Sequence, residues 1–361
     1  MNRPGDRRRE QTALDRAALS IEKLMGADRV QRDRPIGELT TYRVGGAASI
    51  FVEIGRVSDL EMVAAAIKGE PIPVLVLGRG SNMLVSDGGF PGLVLSIGAG
   101  LACLDVVGER VVAGAGLPMP QLARRTAAAG LSGLQWGVGI PGSVGGAVTM
   151  NAGCHGSDMA SVLSHAEVFS LASAEMRLLS SEDLGYGYRS SEISGLDVVV
   201  SASFDLDRSD SGRMRAEIAE IVSWRRQNQP GGSNAGSVFR NPIAASAGEL
   251  VETAGLKGES IGGASVSSKH ANFIQCDEGG SAADVRQLIE LVRKRVHERH
   301  GVWLELELRL IGFDDLSGAA GGPVLDITPV EGALTGASGK DGANTEGEGE
   351  GEGAGAVGHW Q

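Results

Sequence analysis

Leu14, Ala18, Ile21 and Leu24/Met25 recur at helical spacing behind a polar stretch, residues 1–10, that reads as disordered. The period then shortens. From Thr40 onward, β-like runs at 48–53, 73–77, 93–97, 111–115, 166–171 and 198–206 are punctuated by glycine, with helical patterns at 57–68 and 119–129 between them. After Asp207 the texture changes again, to a helix over 213–224 with Met214, Ile218 and Ile221/Val222 on one side, followed by a Gly/Ser/Asn-rich loop over 230–237. Ser281 and Asp284 spell a capping box ahead of Val285, Leu288, Ile289, Val292 and Val296, the apolar stripe of a long helix. Finally Leu304, Leu306, Leu308 and Leu310 alternate with Glu305, Glu307 and Arg309, which predicts a strand with one charged face. This alternation of elements predicts an α+β or α/β chain.

Composition changes that picture mainly at one end. The 361 residues carry a formal charge of −12, but residues 313–361 hold nine Asp/Glu against one Lys, so −8 belongs to this stretch and −4 to the rest. The same stretch holds 13 of the 55 glycines and alternates Glu with Gly, a composition that cannot offset its ordering entropy and predicts a disordered tail. The acidity, the 4% aromatic content and the lack of a basic stripe argue against nucleic-acid binding. No run of 18 apolar residues predicts membrane insertion, and Arg7, Arg8 and Arg9 precede no apolar signal region. Cys103, Cys154 and Cys276 are odd in number and lack zinc or redox spacing, which favours three reduced packing residues and a cytoplasmic protein, with no metal site expected.

Gly137, Gly139 and Gly142 match a dinucleotide fingerprint by spelling. Pro141 lies inside it and Gly145-Gly146 follows at once, which disfavours the helix that the fingerprint requires. There is no G-x-x-x-x-G-K-S/T, and His297 and His300 have the wrong spacing for a zinc helix. What stands out is three glycine-dense loops, at 43–46, 78–82 and 139–146, each at a strand end. Glycine lets backbone amides approach a phosphate closely, and Ser81, Asn82 and Ser143 add side-chain donors, so the loops predict a phosphate-bearing cofactor.

Seven segments then carry a family resemblance in order over about residues 34–312. They are TYRVGG at 41–46, LGRGSN at 77–82, GIPGSVGGA at 139–147 running on to MNAG at 150–153, YRSS at 188–191, GSVFRNP at 236–242, AGLKG at 254–258 and LELELRLIG at 304–312. Together they resemble the UDP-N-acetylenolpyruvoylglucosamine reductases (MurB), flavoenzymes of bacterial peptidoglycan synthesis. The resemblance implies an α+β fold: an N-terminal arm and helix over 1–33, a split FAD-binding region of the vanillyl-alcohol-oxidase (PCMH) type over 34–207 completed by a strand at 302–312, and a smaller substrate-binding α+β domain over 208–301. It implies noncovalent FAD held by Arg43, Gly78, Arg79, Gly80, Ser81, Asn82, Gly139, Ile140, Gly142, Ser143 and Gly146.

The implied reaction has two steps: NADPH reduces FAD, and the flavin N5 then passes a hydride to the enolpyruvyl methylene of UDP-N-acetylglucosamine enolpyruvate, giving UDP-N-acetylmuramate. Negative charge develops at C2 and spreads into the adjacent carboxylate, so the chemistry calls for a cation or acid at that carboxylate and a proton donor over C2. Ser237 matches the family's proton donor, Arg189 the residue that stabilises the enolate, and Glu307 its acidic partner. Tyr188, Arg240, Asn241, Lys257 and His270 match positions near the substrate. The tyrosine-bearing loop of some members is missing, so the chain resembles the shorter subtype, with Arg225, Arg226 and Gln229 as candidates to close the site; a monomer is expected. Two alternatives stay open: another flavin oxidoreductase of this fold, and an inactive nucleotide-sugar binder.

Overall fold

A computed structural model describes residues 4–243 and 245–313. Helix α1 (Pro4–Met25) opens the chain. Residues 4–10, expected outside regular structure, are helical. Pro4 suits a first helical turn, where its missing N–H is not needed, and the Arg/Glu-rich sequence behind it favours helix. Leu14, Ala18 and Ile21 are buried as the spacing predicts, whereas Leu24 is 48% exposed and Met25 takes the packing position in its place.

The first lobe follows: β1 (Val30–Pro35), β2 (Ala47–Ile54), helix α2 (Val57–Ile67), β3 (Val74–Leu77), the short β4 (Met83–Val85) and β5 (Phe90–Ile97). Its sheet runs β1-β2-β5-β3, antiparallel at the β1 edge and parallel elsewhere. One face packs beneath α1 and α2 through Ile50, Val52, Leu93 and Leu95. The runs of Val, Leu and Ile that read as buried strands do so because both faces of this sheet are covered.

The second lobe comprises β6 (Leu104–Val107), β7 (Arg110–Gly114), α3 (Met119–Ala128), the two-residue β8 (Leu131–Ser132), α4 (Val144–Thr149), the small pair β9 (Gly153–Cys154) and β10 (Ser157–Asp158), then β11 (Leu163–Ser170), β12 (Glu175–Ser180), β13 (Asp197–Asp205) and β14 (Asp207–Arg208). Its main sheet is antiparallel, in the order β12-β11-β13-β7-β6. Residues 145 and 146, expected to keep this stretch out of a helix, lie inside α4 instead. Tertiary packing overrides the poor propensity of glycine here: a Cβ on Gly145 would lie 2.9 Å from the Ala115 Cβ, and Ser143 caps the helix.

Helix α5 (Ser211–Asn228) buries Met214 and Ile218 against Ala123, Ala127 and Val138 of the second lobe, while Val222 faces solvent. The third lobe holds α6 (Ala247–Thr253), the antiparallel sheet β15 (Ser260–Ile261), β16 (Ala264–Val266) and β17 (Ile274–Cys276), and α7 (Ala282–His300). The capping box at Ser281 and Asp284 is formed as the sequence predicts. The α7 stripe, Val285, Leu288, Ile289, Val292 and Val296, fills this core together with Leu304, Leu306 and Leu308. Tyr42 and Leu84 of the first lobe enter the same core.

The last strand is shorter than the alternation predicts. Leu304, Leu306 and Leu308 are buried and Glu305 is exposed, yet only β18 (Arg309–Ile311) forms a ladder, parallel to β4. Upstream, the extended chain makes a single bridge, Phe239 to Leu306, because its neighbour there is an irregular loop rather than a strand. His297 and His300 are committed to their own lobe: His297 stacks on Trp303 at 4.4 Å, and His300 Nε2 lies 3.1 Å from Thr253 Oγ1. The acidic tail predicted from composition lies outside the described residues.

Candidate active site

The three lobes converge on a cavity of ≈ 470 Å³. Gly78, Arg79, Gly80, Ser81 and Asn82 line it from the turn between β3 and β4. Gly139, Ile140, Gly142, Ser143 and Gly146 line it from the approach to α4, and Arg189, Ser237 and Glu307 from three further segments. Sequence separations of more than a hundred residues are thus closed around one space.

The two glycine loops differ in what their backbones can offer. Among the described residues, the amides of residues 79–82 donate to no backbone carbonyl. In the second loop, by contrast, Ile140 N donates to Gly137 O at 3.1 Å, Val144 N to Leu117 O at 2.9 Å, and Gly145 N to Ala115 O at 2.9 Å. Gly146 N is taken by the Ser143 hydroxyl at 3.5 Å. The first loop therefore keeps all four amides of residues 79–82 free and the second those of Gly142 and Ser143, and Gly80 sits at φ +57, where a glycine backbone is unstrained. Gly78 has a different task, since a Cβ there would stand 2.6 Å from Ser143 Oγ.

Glu307 is gripped from three directions. Its side chain accepts from Arg189 Nε at 3.0 Å, its carbonyl from Asn82 Nδ2 at 3.0 Å, and its own amide donates to Val238 O at 2.9 Å. That last bond ties Glu307 to the residue next to Ser237. Ser237 is half-buried behind Gly236, whose φ of +78 turns the chain into the cavity wall. Arg189 is itself unusual: its backbone lies at φ +56, and Nη2 donates to Gly153 O at 2.6 Å. The fully buried Asn151 steadies the turn before it, donating from Nδ2 to Gly187 O at 3.0 Å. Burial pushes the Glu307 carboxyl above its ordinary value, with Arg189 and then Arg240 pulling the other way.

The remaining predicted residues stand outside the lining. Arg43 is exposed, Tyr188 is 54% exposed beneath the Arg189 guanidinium at 5.2 Å, and Arg240 faces Glu307 electrostatically with its Nε buried and unpartnered. Asn241 accepts from Ala247 N at 3.0 Å at the start of α6, and Lys257 pairs with Glu252 at 2.6 Å. The His270 ring tilts against Phe273 at 4.8 Å, its pKa lowered by burial and by Lys257.

Several lining residues carried no sequence signal of their own. Thr41 and Arg309 line the cavity, and both Thr41 Oγ1 and Arg309 Nε are buried without a hydrogen-bond partner. Of the three residues named as candidates to close the site, Arg225 and Gln229 line the cavity, with Arg225 Nε donating to Gln229 Oε1 at 2.7 Å, and Arg226 does not; Cys154 lines it too. Burial drives the Cys154 thiol up to about 11, so at neutral pH it is a packing residue and not a nucleophile. Free amides, orphaned polar atoms and space left by absent side chains fit an elongated anionic ligand that supplies acceptors. Among the described residues no cluster of His, Cys, Asp or Glu could hold a metal ion, and no helix is long and apolar enough to cross a membrane.

Comparison with known proteins agrees with this geometry. Residues 48–178 match the FAD binding domain family, and residues 227–311 match the C-terminal domain of UDP-N-acetylenolpyruvoylglucosamine reductase. The UDP-N-acetylenolpyruvoylglucosamine reductase of Bacillus subtilis is 39% identical over 287 residues, covering 79% of this chain and 94% of that protein. A Synechococcus relative of the same name is 43% identical over 287 residues, covering 78% and 94%. Among solved structures, the UDP-N-acetylenolpyruvylglucosamine reductase of Thermus caldophilus superposes with a TM-score of 0.69 at 35% identity, covering 78% of this chain and 99% of that one.

Proposed function

The chain belongs to the UDP-N-acetylenolpyruvoylglucosamine reductase family and is a flavin-dependent oxidoreductase that uses FAD, and from that premise we propose that it catalyses the NADPH-dependent reduction of UDP-N-acetylglucosamine enolpyruvate to UDP-N-acetylmuramate in peptidoglycan precursor synthesis. FAD, when bound, supplies the hydride that NADPH provides. The free amides of residues 79–82, the Thr41 hydroxyl and the space at Gly78 fit the cofactor's polar groups.

The observation that carries the reading is the convergence of Arg189, Ser237 and Glu307 on one cavity wall. Reduction of an enolpyruvyl ether at its methylene carbon leaves electron density at C2 and in the neighbouring carboxylate. Arg189 offers a fixed guanidinium fork to that carboxylate. Glu307, whose burial favours the neutral acid, can hold a proton against the growing enolate charge. Ser237 then delivers a proton to C2. A serine hydroxyl is a poor acid toward water, but a carbanion-like enolate is a strong enough base to take its proton. The bond from Glu307 N to Val238 O keeps donor and acid in register as parts of one rigid wall.

Tyr188, Arg240, Asn241, Lys257 and His270 are assigned to the nucleotide-sugar side of the substrate, reached from outside the cavity lining. Arg43 is assigned to the outer part of the cofactor. The three free cysteines support a cytoplasmic location, and a monomer completes the proposal. The deciding experiment is stopped-flow: the FAD-loaded protein should be bleached by NADPH and recoloured by the UDP-linked enolpyruvyl ether. Bleaching without recolouring by that ether would remove the substrate assignment.

A further inference from the structure

Four arginines line the cavity: Arg79, Arg189, Arg225 and Arg309. Three of them are committed to acceptors within the protein. Arg79 Nε donates to Pro141 O at 2.9 Å, Arg189 pairs with Glu307, and Arg225 donates to Gln229. Arg309 is different. Its Nε is buried without a partner, and among the described residues its side chain makes no hydrogen bond or ion pair. Burial alone perturbs it, lowering its pKa, with no carboxylate near enough to oppose the effect. A half-buried guanidinium that no acceptor of the protein satisfies is open to an anion that enters the cavity.

Its position narrows which anion. Arg309 lies two residues after Glu307, beyond a bend at Leu308, and both residues line the cavity. Arg309 N donates to Asn82 O at 3.0 Å, which holds the start of β18 against the first glycine loop. The phosphates of a dinucleotide cofactor already have the free amides of residues 79–82 and the exposed Arg79 beside them. Arg309 is the cation without a protein partner on the stretch of cavity wall between that loop and Glu307, which faces the space where the cofactor's redox-active ring has to lie for hydride transfer to a substrate held by Arg189 and Glu307.

We propose that Arg309 is the counter-charge to the two-electron-reduced, negatively charged isoalloxazine ring and thereby raises the reduction potential of the bound FAD. The neutral oxidised ring gains little from this cation, and the anionic reduced ring gains much. Charge beside the pyrimidine edge of a flavin is a recognised means of tuning its electronics. Arg309 is thus a positioning and tuning residue, distinct from the proton-donating and enolate-binding groups. The inference rests on the cofactor reading of the cavity.

The test compares the full-length wild type with Arg309→Gln, Arg309→Lys and Arg309→Met after loading with FAD. Two quantities are read: the dissociation constant for oxidised FAD, by fluorescence quenching, and the midpoint potential of the bound cofactor, by equilibration with a reference dye. Loss of the charge in Arg309→Gln should weaken binding of the reduced form about tenfold more than that of the oxidised form, a potential about 30 mV more negative. Arg309→Lys should recover most of that shift. Arg309→Met, which keeps the apolar stem, replaces the glutamine variant should that one fail to fold. An unmoved potential overturns the assignment, as does equal weakening of the two redox forms, which would place Arg309 on a phosphate. Wild-type protein that takes up no FAD overturns both this assignment and the cofactor reading beneath it, whereas FAD uptake with an unmoved potential overturns only the former.

Discussion

Arg189 Nε and Glu307 Oε1 lie 3.0 Å apart across 118 residues of sequence, and this pair joins the second lobe to the segment that leads into β18. Neither partner is free to drift. Asn82 and Val238 fix the Glu307 backbone, and Gly153 O holds the far end of the Arg189 fork. The pair thus sits ready for a carboxylate to join it, with the cost of positioning met by folding.

The first prediction concerns the Glu307 proton. Burial raises its pKa in the folded state above the unfolded value, although Arg189 opposes the shift. A raised carboxyl binds its proton more tightly when folded, so its contribution to stability is full below the unfolded pKa and is lost as pH rises through the folded pKa. Glu307→Gln removes that dependence. The melting temperature of Glu307→Gln relative to wild type should therefore be higher at about pH 8 than at about pH 4. Calorimetry at the two pH values checks it, and a difference independent of pH would show that burial does not control this carboxyl. The same variant should slow substrate-driven reoxidation by about 10²–10⁴-fold while NADPH still bleaches the protein.

Ser237→Ala separates the two halves of the reaction. The hydroxyl lines the cavity and Gly236 sets the turn before it, but no part of the proposed NADPH half-reaction uses it. Bleaching by NADPH should keep its rate within a factor of about two, and recolouring by the enolpyruvyl ether should fall by about 10²–10⁴-fold, the usual scale for losing a general acid. Single-turnover stopped-flow measures both. An equal loss in the two steps would point to damage to the cavity rather than to a missing proton.

These residues differ in how far the sequence exposed them. The capping box at Ser281 and Asp284 is a local agreement between neighbours, and it formed as read. The strands at 48–53 and 93–97 were legible for a similar reason, since β2 and β5 are buried apolar runs bounded by glycine. Arg309 was not. In an alternating segment a charged residue reads as solvent-facing, and only the arrival of β4 and the second lobe turns that face inward. The glycines at 145 and 146 misled for the converse reason: their low helix propensity is local, whereas the close approach to Ala115 that needs Gly145 is tertiary. Thr41 opens the matched segment at 41–46, but nothing in that segment marks its hydroxyl. It becomes notable once its hydroxyl is seen to be buried, unpartnered and at the cavity wall.

Asp87 supplies a test of how the third lobe is held. Its two carboxylate oxygens accept from Ala282 N at 3.0 Å and Ala283 N at 2.9 Å, so a residue of the first lobe satisfies the first turn of α7. Anionic charge at a helix N-terminus is favourable, and loss of such a cap costs about 1 kcal/mol. Asp87→Ala should lower unfolding free energy by about that amount, and Asp87→Asn, which keeps one acceptor, by less. Urea denaturation followed by circular dichroism checks the order. Stability equal to wild type in Asp87→Ala would mean that water replaces the carboxylate at this helix end without loss.

The last prediction asks whether the two glycine loops act as one cradle. A Cβ at Gly78 would lie 2.6 Å from Ser143 Oγ, closer than nonbonded atoms settle. Ser143 cannot yield freely, because its hydroxyl caps α4 by accepting from Gly146 N and its side chain is packed under the second lobe. Gly78→Ala therefore either drives the hydroxyl out of its cap or widens the gap between the loops, and both change the cavity wall on the cofactor side. FAD affinity should fall at least about tenfold, about 1.4 kcal/mol. Ser143→Ala alone should cost about 1 kcal/mol of stability through the lost cap. In the double variant the clash is gone, so the two changes should not add: a coupling of at least about 0.5 kcal/mol is expected, favouring the pair. Titration of FAD into the four proteins of the cycle measures it. Strict additivity would mean that Gly78 and Ser143 shape the cavity independently, and that the first loop binds its ligand without support from the second.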